Sequence, residues 1–468
     1  MLNITRVYLH RYALTIIMIL FSFLTTDKQS MGNEGNIIHM KYQKAILANG
    51  LSIILVEHHE LPVVAIDLLV KAGSVNDPQE KQGLANMVAQ LLREGTCSKN
   101  SLEISEEIDF IGGTLSAYCE YDSTSITATS LVKHFKTILD LLSEVARFPT
   151  FKLKDIEFQR DKAITSILRE KDNKSEIAGR HFSEMLYGIH PYAHPSIGTL
   201  EGLKTVTDKE IMEFHKKHYL PNNSILTVVG DIDPAGVLDG IKKIFGDWKK
   251  ADIQKPALPS IPKTVGHRIR LVDKPDLTQT EISIGHPGIK RTDRDYFPIL
   301  LLNHILGVGP VSRLYTELRV ERGLTYGARS NFDARKLQGP FYINTYSKNE
   351  TAIETLRLIL DELQKLKYSG ITKEELDSAK SYYVGHFPLS VETPAQIASK
   401  IIEQEFYGLP EDYLEKYLEN IKAVFREDVN RAIERIVDTD NLVIVLVSRV
   451  EDILKEAKAL GEVELRKP

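Results

Sequence analysis

One order of elements occurs twice along this chain, and that repeat constrains the fold more than any single motif. In each copy, strands are followed by a helix, further strands, long helices and a closing strand. The repeat is visible in element order more than in residue identity, with a period of about 210 residues. Sheets and helices repeated in this way predict an α+β fold of two homologous half-domains. We expect each half-domain to be a mostly antiparallel sheet backed by helices, the two being related by a pseudo-two-fold repeat.

Hydrophobic spacing predicts the elements of the first copy. Asn49-Gly50 is a strong hairpin signal between two short strands in residues 41–57. The nearly continuous apolar run at 63–70 is typical of a buried strand. Further predicted elements are strands within 114–131 and at 225–230, and helices at 83–93, 133–147 and 154–173.

A proline-rich stretch separates the two copies. Residues 254–264 contain three prolines without periodicity, and proline disfavours both a helix interior and a central strand. We therefore predict a linker at 254–264 between half-domains at 38–253 and 265–462. In the second copy the predicted elements are strands at 279–284, 326–332, 341–347 and 441–448, and helices at 296–306, 312–321, 353–366 and 373–383.

Residues 1–30 are predicted to be a signal peptide or a short membrane anchor. Arg6, His10 and Arg11 precede the 12 uncharged residues 13–24. That stretch is shorter than the roughly 20 residues of a membrane span, and it matches the apolar core of a secretory signal. A true start of translation at Met31 is a further alternative, since no A-x-A cleavage motif follows. We expect an exported protein, located in the periplasm of a bacterium.

Composition excludes several classes of protein. Hydrophobic residues make up 43% and charged residues 26% of the 468 residues, which is ordinary for a globular chain. The formal net charge of −5 gives no electrostatic preference for nucleic acid. Cys97 and Cys119 allow at most one disulfide and cannot form a zinc site of cysteines alone. Export would permit that bridge, but we expect two buried thiols instead.

Three blocks of the sequence resemble the pitrilysin/insulinase peptidase family. They are KAGSVNDPQEKQGLANMVAQLLREGT at 71–96, PYAHPSIG at 191–198 together with VGD at 229–231, and SRLYTELRVERGLTY at 312–326. The resemblance extends over about residues 38–460. Within the family, the chain is most similar to the small two-chain bacterial branch, which is akin to mitochondrial processing peptidase.

The resemblance implies that the family's zinc site is degenerate in this chain. In the family, two histidines of an H-x-x-E-H motif bind Zn²⁺, the glutamate between them is the general base, and a glutamate on a later helix is the third protein ligand. The matching residues here are Asn86, Ala89, Gln90 and Ser166. Carboxamides are weak zinc ligands, and alanine cannot accept a proton. We therefore expect no metal in this chain.

The other histidines considered are poorly placed to form a replacement zinc site. Prolines directly follow His190 and His194 and disfavour a helix that would align them. His215 and His218 can share one helix face with Glu213 nearby, which leaves a metal pair there as an alternative. We interpret all four as core or surface histidines.

The second half keeps a residue pair that the family uses to handle substrate. There, a tyrosine helps to hold the scissile carbonyl, and an arginine seven residues earlier helps to position the substrate. The matching residues are Arg319 and Tyr326, and a tyrosine hydroxyl can donate to a developing oxyanion. In the structural alternative, Arg319 pairs with a neighbouring carboxylate and Tyr326 packs between elements.

A chain with this combination resembles the zinc-free subunit of a two-chain peptidase. The resemblance implies a homologous zinc-bearing partner subunit, peptide substrates, and zinc in the partner alone. A stand-alone binding or scaffold protein on the same fold is the first alternative, and an autonomous zinc endopeptidase with a displaced site is the second. We expect no nucleic-acid partner and no stable membrane span beyond the possible N-terminal anchor.

Overall fold

Two six-stranded sheets, each packed against helices, make up the described part of the protein. The computed structural model describes residues 42–254 and 256–468. The signal or anchor predicted at 1–30 lies outside these ranges. The two sheets with their helices confirm the predicted α+β class and its two half-domains.

The first sheet begins with the predicted hairpin. Its turn contains Gly50, whose φ of +88° is accessible to glycine without strain. The strands are β1 (Tyr42–Ile46), β2 (Ser52–Glu57), β3 (Val63–Val70), β4 (Thr114–Cys119), β5 (Thr124–Leu131) and β6 (Ser224–Gly230). They lie in the order β1-β2-β6-β3-β5-β4, and only β2 and β6 pair in parallel.

Five strands of the second sheet repeat the order and direction of five strands of the first. The strands are β7 (Arg268–Asp273), β8 (Gln279–Pro287), β9 (Ala328–Phe332), β10 (Pro340–Lys348), β11 (Val443–Ser448) and β12 (Glu462–Arg466). Their order is β12-β7-β11-β8-β10-β9. The sixth strand breaks the repeat, because β12 is parallel to β7 whereas β1 is antiparallel to β2. β7 and β12 are absent from the strands predicted by hydrophobic spacing.

Helices of both halves pack against the sheets. In the first half they are α1 (Leu84–Leu91), α2 (Ser101–Phe110), α3 (Phe135–Arg147), α4 (Leu153–Glu170), α5 (Lys174–Tyr187), α6 (Leu200–Thr205), α7 (Asp208–His218) and α8 (Pro234–Phe245). In the second half they are α9 (Tyr296–Gly307), α10 (Arg313–Tyr315), α11 (Ala352–Ser369), α12 (Lys373–His386), α13 (Pro394–Tyr407), α14 (Tyr417–Ala423), α15 (Arg426–Ile436) and α16 (Val450–Ala457). Helices α1, α3, α4, α9, α11 and α12 confirm the corresponding predictions.

Each half contributes one helix to the sheet of the other half. Helix α5 of the first half packs on β8 and β11, and α13 of the second half packs on β3 and β6. At the first of these crossings, Ile177, Phe182 and Met185 of α5 share an apolar cluster with Val443 and Val445 of β11. Neither helix is among the elements that hydrophobic spacing predicts. This exchange holds the two halves together and leaves part of each sheet uncovered by the crossing helix.

The segment predicted as one helix at 312–321 is more complex. A single turn of α-helix, α10, is followed by a π-helix at Thr316–Glu321. Strand β9 then begins at Ala328, so Tyr326 precedes the strand that was predicted to contain it. Residues 256–265 carry neither helix nor strand, and the half-domain boundaries proposed around them stay predictions.

The expectation of two buried thiols is wrong for one cysteine. Cys119 is buried at the end of β4, but Cys97 is exposed, and both are free thiols. Cys97 lies in the loop between α1 and α2, outside the apolar core that encloses Cys119. Of the helices in the described ranges, none combines the length and apolarity needed to cross a bilayer.

Candidate functional site

Helix α1 carries the residues that correspond to the family's zinc motif. It begins after Gly83, whose φ of +104° places it in the left-handed region. The carboxylate of Asp77 accepts hydrogen bonds from the backbone N–H groups of Gly83 at 2.7 Å and Ala85 at 2.8 Å, which satisfies donors at the helix start. Burial raises the pKa of Asp77 to about 7, although these donors oppose the shift. These bonds fix the start of α1 to the loop that precedes it.

The donor atoms at the motif positions do not suit zinc. Asn86 and Gln90 are half-buried on α1, Ala89 is fully buried in the core, and Ser166 is exposed on α4. Helices α1 and α4 pack against each other, as the resemblance requires. Two carboxamides, a methyl group and a hydroxyl supply neither strong ligands nor a base. Within the two described ranges, no group of three or more His, Cys, Asp or Glu residues could hold a metal ion.

The histidine pair on α7 is engaged in structural contacts. Nε2 of His215 donates to the carbonyl oxygen of Ala146 at 2.8 Å, and its ring stacks on Tyr219. Burial lowers the pKa of His215 to about 4. His218 is buried with its ring centroid 4.5 Å from that of Phe214, and burial lowers its pKa to about 4 as well. Both are neutral core residues at neutral pH, as their interpretation as core or surface histidines expects.

Arg319 and Tyr326 lie side by side at the surface of the second half. The guanidinium carbon of Arg319 is 4.3 Å from the centroid of the Tyr326 ring, which is cation–π geometry. The side chain of Tyr326 is 74% exposed. Among the described residues, Arg319 has no carboxylate within 4.0 Å. Neither contact of the structural alternative is therefore observed.

Local backbone geometry brings this pair together. Arg319 lies in the π-helix, where the backbone N–H of Arg322 donates to the carbonyl of Glu317, five residues back, at 3.2 Å. Gly323 then adopts φ +63°, and the chain turns toward Tyr326. Short π-helical segments are rare and are frequently found at functional sites. The six residues between Arg319 and Tyr326 therefore span one tight reversal instead of continuing a straight helix.

An arginine that the sequence analysis did not single out anchors this segment. Nε of Arg313 donates to Glu375 at 2.6 Å, its Nη2 donates to the Gly370 carbonyl at 2.9 Å, and Glu362 lies 3.5 Å from its Nη1. Arg313 begins α10, directly before the π-helix. It lies in the block at 312–326, but its carboxylate partners are 49 and 62 residues away along the chain, so no local signal identifies its role.

A groove of about 920 Å³ adjoins Tyr326. It is lined by residues of β9 and of the neighbouring β10. β9 is an edge strand of the second sheet, so its free edge offers backbone donors and acceptors. The groove is also lined by a set of tyrosines, namely Tyr315, Tyr326, Tyr342, Tyr346 and Tyr382. An open strand edge beside aromatic rings can bind an extended peptide backbone.

Known families match both halves of the chain. Residues 52–200 match the insulinase family, peptidase family M16, and residues 205–383 match the family described as the peptidase M16 inactive domain. The chain belongs to the M16 peptidase family. This confirms the resemblance inferred from the three sequence blocks.

Individual M16 relatives span most of the chain. An uncharacterized zinc protease of Bacillus subtilis, YmxG, is 25% identical over 400 residues, covering 86% of this chain and 96% of the relative. A crystal structure of a peptidase M16 inactive domain from Pseudomonas fluorescens has a TM-score of 0.82 and 28% identity, covering 92% of this chain and all of that one. A protease structure from Helicobacter pylori, at 24% identity and a TM-score of 0.81, covers 87% of this chain and supports the fold.

Proposed function

We propose that this chain is the zinc-free subunit of a two-chain M16 peptidase. The observation that carries the proposal is the contrast between two surfaces. The Arg319–Tyr326 pair is stacked and open to solvent beside a peptide-sized groove. Helices α1 and α4, by contrast, hold residues that cannot serve as a zinc site. Such a chain lacks the means to hydrolyse peptides by itself but keeps side chains suited to a substrate.

In this proposal, the hydroxyl of Tyr326 donates a hydrogen bond to the scissile carbonyl of a peptide held between two subunits. A preorganised donor of this kind stabilises negative charge that develops on the carbonyl oxygen. Arg319 stacks against the ring and fixes its orientation, while its remaining N–H groups can reach backbone carbonyls of the substrate. The homologous partner supplies the zinc and the general base.

The substrates proposed for the pair are peptides, bound in extended form. Strand β9 can extend its sheet with a substrate strand, since it is an edge strand and its residues line the groove. The tyrosines of the groove provide contacts to side chains of varied character. We further propose that the pair works outside the cytoplasm, on the basis of the apolar stretch at 13–24.

Mixing the purified chain with a homologous M16 chain that keeps H-x-x-E-H tests this function. The proposal predicts that the two form a complex of one copy each and that peptidase activity exceeds the sum of the separate activities. A relative encoded beside this chain is the first partner to use. If the complex forms without a gain in activity, the scaffold function replaces the proposed one. If this chain is fully active alone, the autonomous-peptidase alternative is correct.

A further inference from the structure

A second cavity, of about 370 Å³, lies where α13 of the second half crosses the first sheet. Its walls come from β3, β4 and β5 of the first half and from α13 and the loop between β9 and β10 of the second. It shares no lining residue with the groove beside Tyr326. Its volume is within the range of small-molecule sites in proteins.

The carboxylate of Asp67 lies at the base of this cavity and lacks a full set of partners. Asp67 occupies the middle of β3, is only 4% exposed, and pairs across the sheet with Thr127 and Thr227. Its Oδ1 has no hydrogen-bond partner among the described residues. Burial raises the pKa of Asp67 to about 7, while the hydroxyl of Ser125 opposes the shift. An ionised carboxylate in such a place is costly unless a cation or donor meets it.

The second half contains a comparable buried carboxylate, and that carboxylate is paired with a cation. Glu281 on β8, the strand equivalent to β3, is 5% exposed. The crossing helix α5 brings Lys174 to 3.6 Å from Glu281, and the same ammonium lies 4.4 Å from the centroid of the Tyr346 ring. A cation held between a carboxylate and an aromatic ring is a favourable arrangement. The crossing helix from the first half therefore supplies a cation to the buried carboxylate of the second sheet.

Helix α13 does not bring an equivalent cation to Asp67. The α13 residues that line the cavity are Ser399, Ile402, Glu403, Phe406 and Tyr407. The arginine of the lining, Arg335, is paired with Asp333 at 2.6 Å and stacked on Tyr121 at 3.9 Å, while its buried Nη1 has no hydrogen-bond partner among the described residues. The ammonium of Lys336 lies 5.0 Å from the centroid of the Phe406 ring, and neither it nor Arg335 is among the groups that shift the pKa of Asp67.

Further acidic and aromatic side chains line the cavity, together with serines and the apolar Leu69 and Ile402. Glu120 is exposed at the mouth, and Asp122 accepts a hydrogen bond from the Tyr192 hydroxyl at 2.6 Å. Glu403 is held by Arg291 at 2.9 Å. The ring of Tyr118 is 42% exposed and close enough to Asp67 that the charge of Asp67, after burial, raises the pKa of its hydroxyl. The cavity thus offers a buried carboxylate beside an accessible aromatic ring.

We propose that this cavity binds an organic cation, a guanidinium or alkylammonium group, through Asp67 with Tyr118 against its face. The bound cation pairs with Asp67 as Lys174 pairs with Glu281 in the second half. Its source is either a basic side chain of a peptide or a free small amine, since both present the same chemistry. The site depends neither on Arg319 and Tyr326 nor on a partner subunit.

Calorimetric titration of the full chain at pH 8 with L-argininamide tests the site, with L-citrullinamide as the uncharged analogue of nearly equal shape. We expect saturable binding of argininamide and binding of citrullinamide that is weaker by about tenfold or more. Asp67→Asn should lower the affinity for argininamide by a similar factor. Glu281→Gln is the matched control and should leave the affinity unchanged, because that carboxylate already has Lys174.

A short arginine-containing peptide distinguishes the two sources. If it binds more tightly than argininamide and displaces it, the site takes peptide side chains; if argininamide alone binds, the site takes free amines. Equal binding of argininamide and citrullinamide, no binding of either, or unchanged binding in a folded Asp67→Asn variant would overturn the proposal. The comparison of ligands needs only the wild-type chain, so it decides the matter even if the variant does not fold.

Discussion

The guanidinium of Arg319 lies 4.3 Å from the centroid of the Tyr326 ring, although the two residues are seven positions apart along the chain. The π-helix and the turn at Gly323 produce this stack. A surface cation–π contact contributes only about 0.5–1 kcal/mol, so it contributes little to folding. It does restrict the ring of an otherwise exposed tyrosine, and a preorganised hydroxyl is what a catalytic hydrogen-bond donor requires.

Tyr326→Phe should lower kcat of the reconstituted pair by about 10²–10³, because it removes one oxyanion donor. The ring and its stack on Arg319 remain, so complex formation should be unchanged. Steady-state kinetics and sedimentation of the mixture measure the two effects. Tyr368→Phe is the control, since Tyr368 is 96% exposed and lies outside the groove. Equal kcat in both variants would show that the Tyr326 hydroxyl has no part in the reaction.

Arg319→Ala should lower kcat/KM of the pair by about 3- to 30-fold, the range expected for a cation–π contact and a lost substrate contact. Arg319→Lys keeps the charge but not the planar fork and should recover only part of the loss. The purified chain should lose no more than about 1 kcal/mol of stability in either variant, because the contact with Tyr326 is a surface cation–π contact. Full activity of Arg319→Ala would remove the residue from the proposed site.

The triple change Asn86→His, Ala89→Glu and Gln90→His should not create a stoichiometric zinc site. Ser166 still lacks a carboxylate, so the third ligand is missing. Ala89 is also fully buried, and Ala89→Glu alone should destabilise the chain by about 2–4 kcal/mol through overpacking and burial of a polar group. Metal analysis and urea unfolding test both points. Tight binding of one zinc by the triple variant would mean that the site is less degenerate than its residues indicate.

Asp67 should make the stability of the chain depend on pH. Its pKa rises from an ordinary aspartate value of 3.8 to about 7 in the folded protein, so between about pH 4 and 7 the folded state holds a proton that the unfolded state has lost. Stability should therefore decrease as pH rises through this window. At pH 8, Asp67→Asn should be more stable than wild type by up to about 4 kcal/mol. Urea unfolding at pH 4.5 and 8 measures this.

The exposed Asp109, near the end of α2, supplies the control for that measurement. Asp109→Asn should follow the wild-type pH dependence, whereas Asp67→Asn should lose part of it. A wild-type chain that gained stability from pH 4.5 to 8 by the same amount as Asp67→Asn would show that Asp67 does not carry a raised pKa.

Local patterns are sufficient to predict much of the fold. The apolar run of β3, the hairpin at Asn49-Gly50 and the helical spacing of α1 each depend on residues close in sequence. The exchange of α5 and α13 escapes such patterns because their amphipathic faces do not indicate which sheet they cover. The cavity at Asp67 forms where α13 crosses the first sheet. An aspartate within an apolar strand therefore does not by itself predict the cavity.

The candidate site likewise has features that the sequence predicts and features that depend on residues distant along the chain. The resemblance to the family identifies the residues that replace the zinc motif, on α1 and α4, and it identifies Arg319 and Tyr326 from the block that contains them. Their stacking depends on a π-helical bond between Arg322 and Glu317, which a periodic pattern predicts as ordinary helix. Arg313 escapes prediction because Glu362 and Glu375 reach it from distant segments.

Zinc stoichiometry, measured together with peptidase rate, tests the central claim most directly. The purified chain, its zinc-motif partner and their complex are each analysed for bound metal and for hydrolysis of a peptide. The proposal predicts no stoichiometric zinc and no activity in this chain alone, one zinc in the complex, and full activity only in the complex. One tightly bound zinc in this chain alone, with peptidase activity to match, would contradict it.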